Sequence, residues 1–147
     1  MVEEAVTGDE RMWIPMSPGV WTRPLLYDTS HGAWVNVMRT ETEGVISRHR
    51  HPNPVHGYVI AGSWRYLEHD WSAGPGMYVY EPPGEIHSLV VDPEPGLTLF
   101  WISGCMIHID EDGRQTGYTD VFSRIAEAER HFESVGLGAD YVSRFIR

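Results

Sequence analysis

Hydrophobic and polar residues alternate along most of this chain, in short segments separated by turn residues. The segment 33–40, AWVNVMRT, has the composition and alternation of a β-strand. From Gly44 onward, turn signals recur after roughly every 8 to 12 residues, which is the spacing of a β-sandwich or barrel. They are AGS at 61–63, SAGPG at 72–76, PPG at 82–84 and DPEPG at 92–96. The pattern predicts an all-β domain, most simply a small jelly roll, whose last strand covers 97–103.

The two ends of the chain depart from this alternation. Prolines and tryptophans crowd residues 12–30, which favours an extended arm or an edge strand whose tryptophans cover the outside of the domain or contact a second copy. Near the other end, apolar residues recur at helical spacing from Phe122 to Val135, between a capping Thr119 or Asp120 and a terminating Gly136. We therefore predict one domain, with an arm over 1–32, a barrel over 33–110 and a helical segment over 118–147.

Composition narrows the classes of function. A length of 147 residues fits one domain. The 21 acidic and 11 basic residues give a net charge of -10, which would repel the phosphate backbone of a nucleic acid. Cys105 is the single cysteine, so no intrachain disulfide can form. No apolar run approaches the ~20 residues of a membrane span, and the first residues lack the features of a signal peptide. We expect a cytoplasmic protein that binds neither nucleic acid nor membrane.

Histidines supply the candidate chemistry. His49 and His51 stand two apart in a segment with strand character, so both imidazoles point to one face while Arg48 and Arg50 point to the other. Such a pair is, by itself, more often structural or exposed than metal-binding. His87 follows the Pro-Pro-Gly turn, and a third imidazole from another strand would complete a metal site with open positions for water, substrate or oxygen.

Two spaced motifs resemble those of the cupin superfamily. The first consists of Gly44, His49-Arg50-His51 and Gly62, and is slightly shortened at its start. The second consists of Gly76, Pro82-Pro83-Gly84 and His87, with Val91 where an Asn is usual. From about Trp34 to Arg147 the chain also resembles the 2,4'-dihydroxyacetophenone dioxygenase family of small cupins, in the segments HRHPNPVHGYVIAGSWRYLEHDW, EPPGEIHSLVV, DEDGRQTGYTDVF and VGLGADYVSRFIR.

This resemblance implies a double-stranded β-helix, or jelly-roll barrel, with a metal ion held by His49, His51 and His87. It implies a non-haem dioxygenase that uses O2 to cleave the carbon-carbon bond between two oxygenated carbons of a small hydroxyketone or diketone. Fe(II) is the favoured ion, because redox chemistry with O2 excludes zinc as the working metal, while zinc, nickel or manganese can accompany the purified protein. The resemblance also implies a homodimer or homotetramer.

The chain departs from the cupin pattern where a Glu usually follows the second His. Counting back from Gly62 places Val55 at that position, with His56 beside it. We therefore expect His56 to support the metal ligands or to contact the substrate. It is also a candidate base for proton removal.

Glu68 is the other candidate base. Alternation along 64–69 would put Glu68 on the same face as Trp64 and Tyr66, and the resemblance implies a possible fourth metal ligand at its position. A salt bridge to Arg65 or a solvated face is an equal alternative. Glu81, just before the Pro-Pro-Gly turn, can orient a metal-bound imidazole, and the sequence leaves this role open.

Aromatic residues near the histidines predict an apolar pocket for a small aromatic or acyl substrate. Two other functions stay open at this point. A metal-binding cupin with a ligand-binding or sensory role and no turnover would need the same three histidines. An isomerase or epimerase acting on a sugar is the other, and the three spaced histidines argue against it.

Overall fold

The computed structural model describes residues 3–147 and shows two antiparallel sheets that enclose one hydrophobic core. The first sheet has six strands in the order β1-β2-β3-β9-β5-β7, and the second has five in the order β11-β10-β4-β8-β6. The strands are β1 Ile14–Ser17, β2 Val20–Asp28, β3 Ala33–Thr40, β4 Gly44–Arg50, β5 Val55–Ala61, β6 Trp64–Tyr66, β7 Tyr78–Glu81, β8 Ile86–Val91, β9 Gly96–Ser103, β10 Cys105–Ile109 and β11 Gln115–Asp120. The predicted all-β sandwich is confirmed.

Strand β5 shows how alternation in the sequence builds the core. Val55 and Val59 are almost fully buried, while Tyr58 between them is 48% exposed. Gly57 also faces inward, and a Cβ atom there would lie 3.2 Å from the ring of Phe100. The absence of a side chain at Gly57 therefore leaves room for that ring in the core. One face of β5 therefore lines the interior, and the other face is the outside of the sheet.

The proline-rich N-terminal region is more regular than its sequence suggests. Strand β2 lies between β1 and β3, so it is an internal strand and not the predicted arm or edge. Pro24 is tolerated there because the pairing with β3 shifts register between Pro24 and Leu26, where a strand needs no amide donor.

Residues 3–13 do form an arm, which crosses the outer face of β2 and β3. The Nε of Arg23 donates to the carbonyl oxygen of Glu4 at 2.8 Å. Arg39 pairs with Glu10 at 2.8 Å, and its guanidinium lies 4.5 Å from the centre of the Trp13 ring. Trp13 is 3% exposed, so this arm buries its tryptophan against the domain.

The predicted C-terminal helix is α1, Val121–Ser134. The Asp120 side chain accepts a hydrogen bond from the Ser123 amide, and the Ser123 side chain accepts one from the Asp120 amide, which is a capping box. Phe132 is fully buried on the inner side of α1, which packs on β1, β2, β11 and a 3-10 helix at Ala139–Arg144. Over residues 3–147, none of the helices has the length and hydrophobicity needed to cross a lipid bilayer.

Candidate metal centre

The fold brings His49, His51 and His87 together in the interior. His49 and His87 are paired neighbours on β4 and β8, and His51 comes just after the end of β4. All three side chains are at least 97% buried. One ligand atom from each lies within 4.8 Å of the others, and the Nε2 atoms of His49 and His87 are 3.2 Å apart.

Glu81 adds a carboxylate to this cluster from the opposite sheet. Its Oε2 atom lies 3.7 Å from Nε2 of His51 and 3.6 Å from Nε2 of His87. The side chain is 4% exposed, and Oε2 has no hydrogen-bond partner among the described residues. Oε1 accepts a hydrogen bond from the Tyr66 hydroxyl at 2.5 Å, and the Tyr66 ring stacks on the His87 ring at 3.9 Å.

Glu81 gives this site a carboxylate although the position where the cupin pattern has a Glu is occupied by Val55. Glu81 on β7 is the direct cross-strand partner of Val55 on β5, the residue at the position where the cupin pattern has a Glu. Directly opposed side chains on one sheet face have Cβ atoms ~5 Å apart. The neighbouring strand therefore offers a carboxylate close to where the usual Glu would lie.

Burial fixes the protonation preferences of this cluster. Desolvation lowers the pKa of His51 and of His87 to about 4, and it lowers that of His49 well below its ordinary value. Desolvation also raises the pKa of Glu81 to about 7, against the effect of the hydrogen bond from Tyr66. All three imidazoles are therefore neutral at neutral pH, which is the form in which histidine binds metals.

The donor set fits a metal ion. Two donors that each lie ~2.1 Å from one ion are themselves about 3 Å apart, which is near the observed 3.2 Å between His49 and His87. Oε2 of Glu81 is buried without a hydrogen-bond partner and faces two ring nitrogens, and a bound ion would give this oxygen a partner. Three imidazoles with one carboxylate suit iron, nickel, copper or zinc.

A cavity of about 300 Å³ opens beside the cluster, between the two sheets. Its walls are largely apolar, and they include Met38, Leu89, Phe100, Ile102 and Met106. Besides the cluster and Tyr66, polar side chains also line the cavity: the small hydroxyls of Ser17, Thr22 and Ser47, and the larger groups of Asn36 on β3, His108 on β10 and Arg124 on α1. The cavity has the size and the lining of a site for a small, mainly apolar molecule.

A sequence profile described as the ChrR cupin-like domain matches residues 1–107. The chain belongs to this cupin family. No curated protein matches the chain significantly. The cupin resemblance inferred from the sequence is confirmed, while the narrower resemblance to the 2,4'-dihydroxyacetophenone dioxygenase family stays a prediction.

Solved structures similar to this cupin show the same fold. An RmlC-like cupin protein from Ralstonia eutropha is 24% identical, with a TM-score of 0.81 over 85% of this chain and 83% of its own. An acetylacetone dioxygenase from Acinetobacter johnsonii is 15% identical, with a TM-score of 0.77 over 89% and 94%. A chain in the complex of Rhodobacter sphaeroides SigE with the anti-sigma ChrR is 16% identical, with a TM-score of 0.52 over 63% and 48%. At these identities the likeness establishes the fold alone.

His56 lies outside the centre of this cupin, contrary to the expectation that it supports the ligands or meets the substrate. It alternates with buried Val55 and Gly57 on β5, so its ring is on the outer face of the sheet. There it stacks on Trp101 with ring centres 4.9 Å apart, and its Nδ1 lies 2.5 Å from the Tyr78 hydroxyl.

Glu68 is also directed away from the cluster. The expected alternation with Tyr66 fails because β6 ends at Tyr66 and the chain turns before Glu68. The carboxylate accepts hydrogen bonds from the Ser88 amide at 2.8 Å and the Ser88 hydroxyl at 3.0 Å, and the side chain is exposed. Neither predicted base therefore lies at the cluster, whereas Glu81, which the sequence marks only as a possible orienting group, does.

Proposed function

We propose that this cupin is a metal-dependent dioxygenase that cleaves a carbon-carbon bond of a small hydroxyketone or diketone with O2. The observation that carries the proposal is a buried cluster of three imidazoles and one carboxylate at the wall of a largely apolar cavity. The shared fold of an acetylacetone dioxygenase supports this choice of reaction. Fe(II) is the ion we propose, since the reaction consumes O2.

His49, His51 and His87 would hold the ion, and Ser47 steadies the first of them, because its hydroxyl lies 3.1 Å from Nδ1 of His49. Iron bound there would supply a redox centre for O2 and a positive charge for substrate oxygen atoms. Burial of all three rings keeps bulk water away from this end of the cavity.

Glu81 would act on the substrate or on the ion through its free Oε2 atom. As a base it would take the proton from the substrate carbon or hydroxyl next to the carbonyl group. Tyr66 holds the other oxygen, so the carboxylate keeps one orientation and cannot turn away from the imidazoles. In this proposal Glu81 takes the role that the sequence suggested for His56 and Glu68.

The remaining polar groups of the cavity would orient the substrate. Asn36 is 7% exposed and makes no side-chain hydrogen bond among the described residues, so its amide is available to a ketone or hydroxyl oxygen. Arg124 presents a guanidinium whose Nε is buried and unpaired, although another nitrogen of the group pairs with Glu127 at 3.0 Å. These groups suit a small apolar substrate with oxygen atoms at both ends.

The test is O2 consumption by metal-free protein that has been reloaded anaerobically with Fe(II), against a panel of β-diketones and aryl hydroxyketones. We expect uptake matched by carboxylic acid products, and its loss in His87→Ala. His69→Ala is the matched control, because His69 lies outside the cluster and pairs with Glu85. Stoichiometric iron binding without uptake on any panel member would refute the proposed substrate class.

A sensory or ligand-binding role is the second candidate. It is supported by the family, whose profile is named for ChrR, and by the similar fold in the complex of anti-sigma ChrR. In that role the cluster would hold an ion without turnover. A protein that binds one equivalent of metal, changes conformation with metal or oxidant, and consumes no O2 would favour this candidate over the dioxygenase.

A further inference from the structure

The cavity between the sheets extends from the metal centre to the edge of the sandwich that α1 covers. At one end lie Glu81 on β7 and Tyr66 on β6, which are edge strands of the two sheets. At the other end lie Met16 and Ser17 on β1, the opposite edge of the six-stranded sheet, and Arg124 on α1, which packs on β1, β2 and β11. A molecule that fills the cavity therefore has one end at the metal centre and the other at Arg124.

Charge is distributed unevenly along this cavity. Among the described residues that line it, Glu81 is the only acid and Arg124 is the only lysine or arginine. The Arg124 side chain is 12% exposed. Its Nη1 donates to Oε2 of Glu127 and to Sδ of Met16, each at 3.0 Å, while its Nε is buried without a partner. Only one nitrogen of the guanidinium contacts Glu127, so the group keeps donors for a second anion.

Neutral polar groups on the neighbouring strands also lack partners. Asn36 on β3 is 7% exposed and makes no side-chain hydrogen bond within residues 3–147, although an unpaired buried amide costs free energy. The hydroxyls of Thr22 on β2 and Ser17 on β1 likewise have no protein partner in this part of the chain. These groups are available to a ligand at the same end of the cavity as Arg124.

A carboxylate fits this set of groups. It only accepts hydrogen bonds, and a guanidinium, an amide and two hydroxyls can all donate to it. Hydrogen bonds between a guanidinium and a carboxylate are charge-assisted and are stronger than neutral ones. Ser17 is exposed, so this end of the cavity reaches solvent, and a carboxylate there does not lose all of its water.

We propose that Arg124 anchors a carboxylate at the end of the cavity opposite the metal centre, with Asn36 and Thr22 as further donors. The proposal deepens the proposed function and rests on it for the reactive end of the substrate. The substrate would be an oxo acid, with its ketone and neighbouring oxygen at the metal centre and its carboxylate at Arg124. Two strand spacings, roughly 10 Å, separate His49 on β4 from the β11 edge. An aromatic ring or a chain of several carbon atoms would fill this distance along the apolar walls.

Isothermal titration calorimetry on the full chain tests the anchor with two matched probes, hexanoate and hexanamide. The chain is first freed of metal, so that hexanoate cannot bind to an ion. The wild type should bind hexanoate at least about 10-fold more tightly than hexanamide, because only hexanoate makes charge-assisted hydrogen bonds. Arg124→Gln should bind the two probes about equally, and Arg124→Lys should keep part of the preference. The same titrations on the zinc-loaded chain cover the case in which folding needs an ion.

Arg130→Gln is the matched control, because Arg130 is exposed on the same helix and does not line the cavity. It should keep the wild-type preference. Glu127→Gln frees Nη1 of Arg124 and should tighten the binding of hexanoate. Circular dichroism should show that every variant is folded.

No preference for hexanoate in the wild type, an unchanged preference in Arg124→Gln, or an equal loss in Arg130→Gln would each overturn the proposal. Binding of these probes needs neither O2 nor turnover. A failure of the anchor therefore leaves the proposed reaction standing, and a failure of the O2 assay leaves the anchor standing.

Discussion

Glu81 reaches the three imidazoles from the other sheet, and its free oxygen lies under 4 Å from two of them. Glu81→Gln keeps the shape of this side chain but removes its charge, so we expect metal affinity to fall about 10- to 100-fold. Tyr66→Phe removes one hydrogen bond to the carboxylate and should cost less. Competition with a chromophoric chelator measures both, and equal affinity in Glu81→Gln and the wild type would exclude the carboxylate as a ligand.

Acid should destabilise the metal-free protein. His51 and His87 have pKa values near 4 in the folded state and 6.5 when unfolded, so between these values the unfolded chain binds more protons. The free energy of unfolding therefore falls as the pH drops from about 6.5 towards 4. Glu81 acts the other way, because its pKa is about 7 when folded and 4.5 when unfolded. Two imidazoles outweigh one carboxyl, and we expect a net loss on the order of a few kcal/mol.

Urea unfolding at a series of pH values measures this loss. Glu81→Gln is the informative control, because it removes the opposing carboxyl and should make the loss of stability below pH 6.5 steeper. A free energy of unfolding that stays constant between pH 6.5 and 4 would contradict neutral, buried imidazoles.

At the scale of residues, the three histidines were predictable and the carboxylate was not. Spacing of two on a strand and the second motif put His49, His51 and His87 on one face. Glu81 joins them because β7 pairs with β5, where Glu81 lies opposite Val55. These two residues are 26 positions apart along the chain, and their register is set only in the folded sheet. His56 was misplaced because the sequence does not say which face of β5 is inside.

At the scale of elements, the turn after β5 depends on one glycine. Gly62 has φ +70°, and a Cβ there would lie 2.6 Å from Cα of Gly96 and 2.8 Å from the carbonyl oxygen of Pro95. Gly62→Ala should therefore lower the free energy of unfolding by roughly 2–4 kcal/mol, through backbone strain and overlap together. Gly32→Ala has similar strain, at φ +62°, but meets nothing within 4 Å.

Thermal unfolding of the two variants separates the causes. Gly32→Ala should cost only the ~1–2 kcal/mol of a left-handed alanine. Equal losses in both variants would show that the close approach to Gly96 does not matter.

Elements with a clear pattern were predicted well, and those that depend on partners were not. The alternation of β3 and the helical spacing of α1 are properties of each segment alone. The prolines of residues 12–30 predict an arm or an edge strand, but β2 is internal, because a shift of register in its pairing with β3 accommodates Pro24. Strand β11 has the polar sequence QTGYTD and buries little of its own surface, so no hydrophobic pattern marks it. It forms because it pairs with β10.

At the scale of the whole molecule, the candidate centre joins the two sheets. His49 and His87 lie in the five-stranded sheet, while Glu81 lies in the six-stranded sheet. An ion bound to all of them would cross-link the two layers of the sandwich. At a free metal concentration ~1,000 times the dissociation constant, binding should add about 4 kcal/mol to the free energy of unfolding.

Calorimetry with and without metal tests this link. The rise in melting temperature should be smaller in Glu81→Gln, which leaves the ion attached to one sheet only. An equal rise in both proteins would mean that the ion does not bridge the sheets.

The pairing of Val55 with Glu81 puts two chain positions beside the same three histidines. Directly opposed residues on neighbouring strands lie side by side on one face of the sheet, so a carboxylate at either position can reach the same pocket. The exchanged pair Val55→Glu, Glu81→Val would return the acid to the first motif by two substitutions. A site of this kind can therefore hold its carboxylate without a Glu in the first motif, and the linear motif alone does not identify every group at the centre.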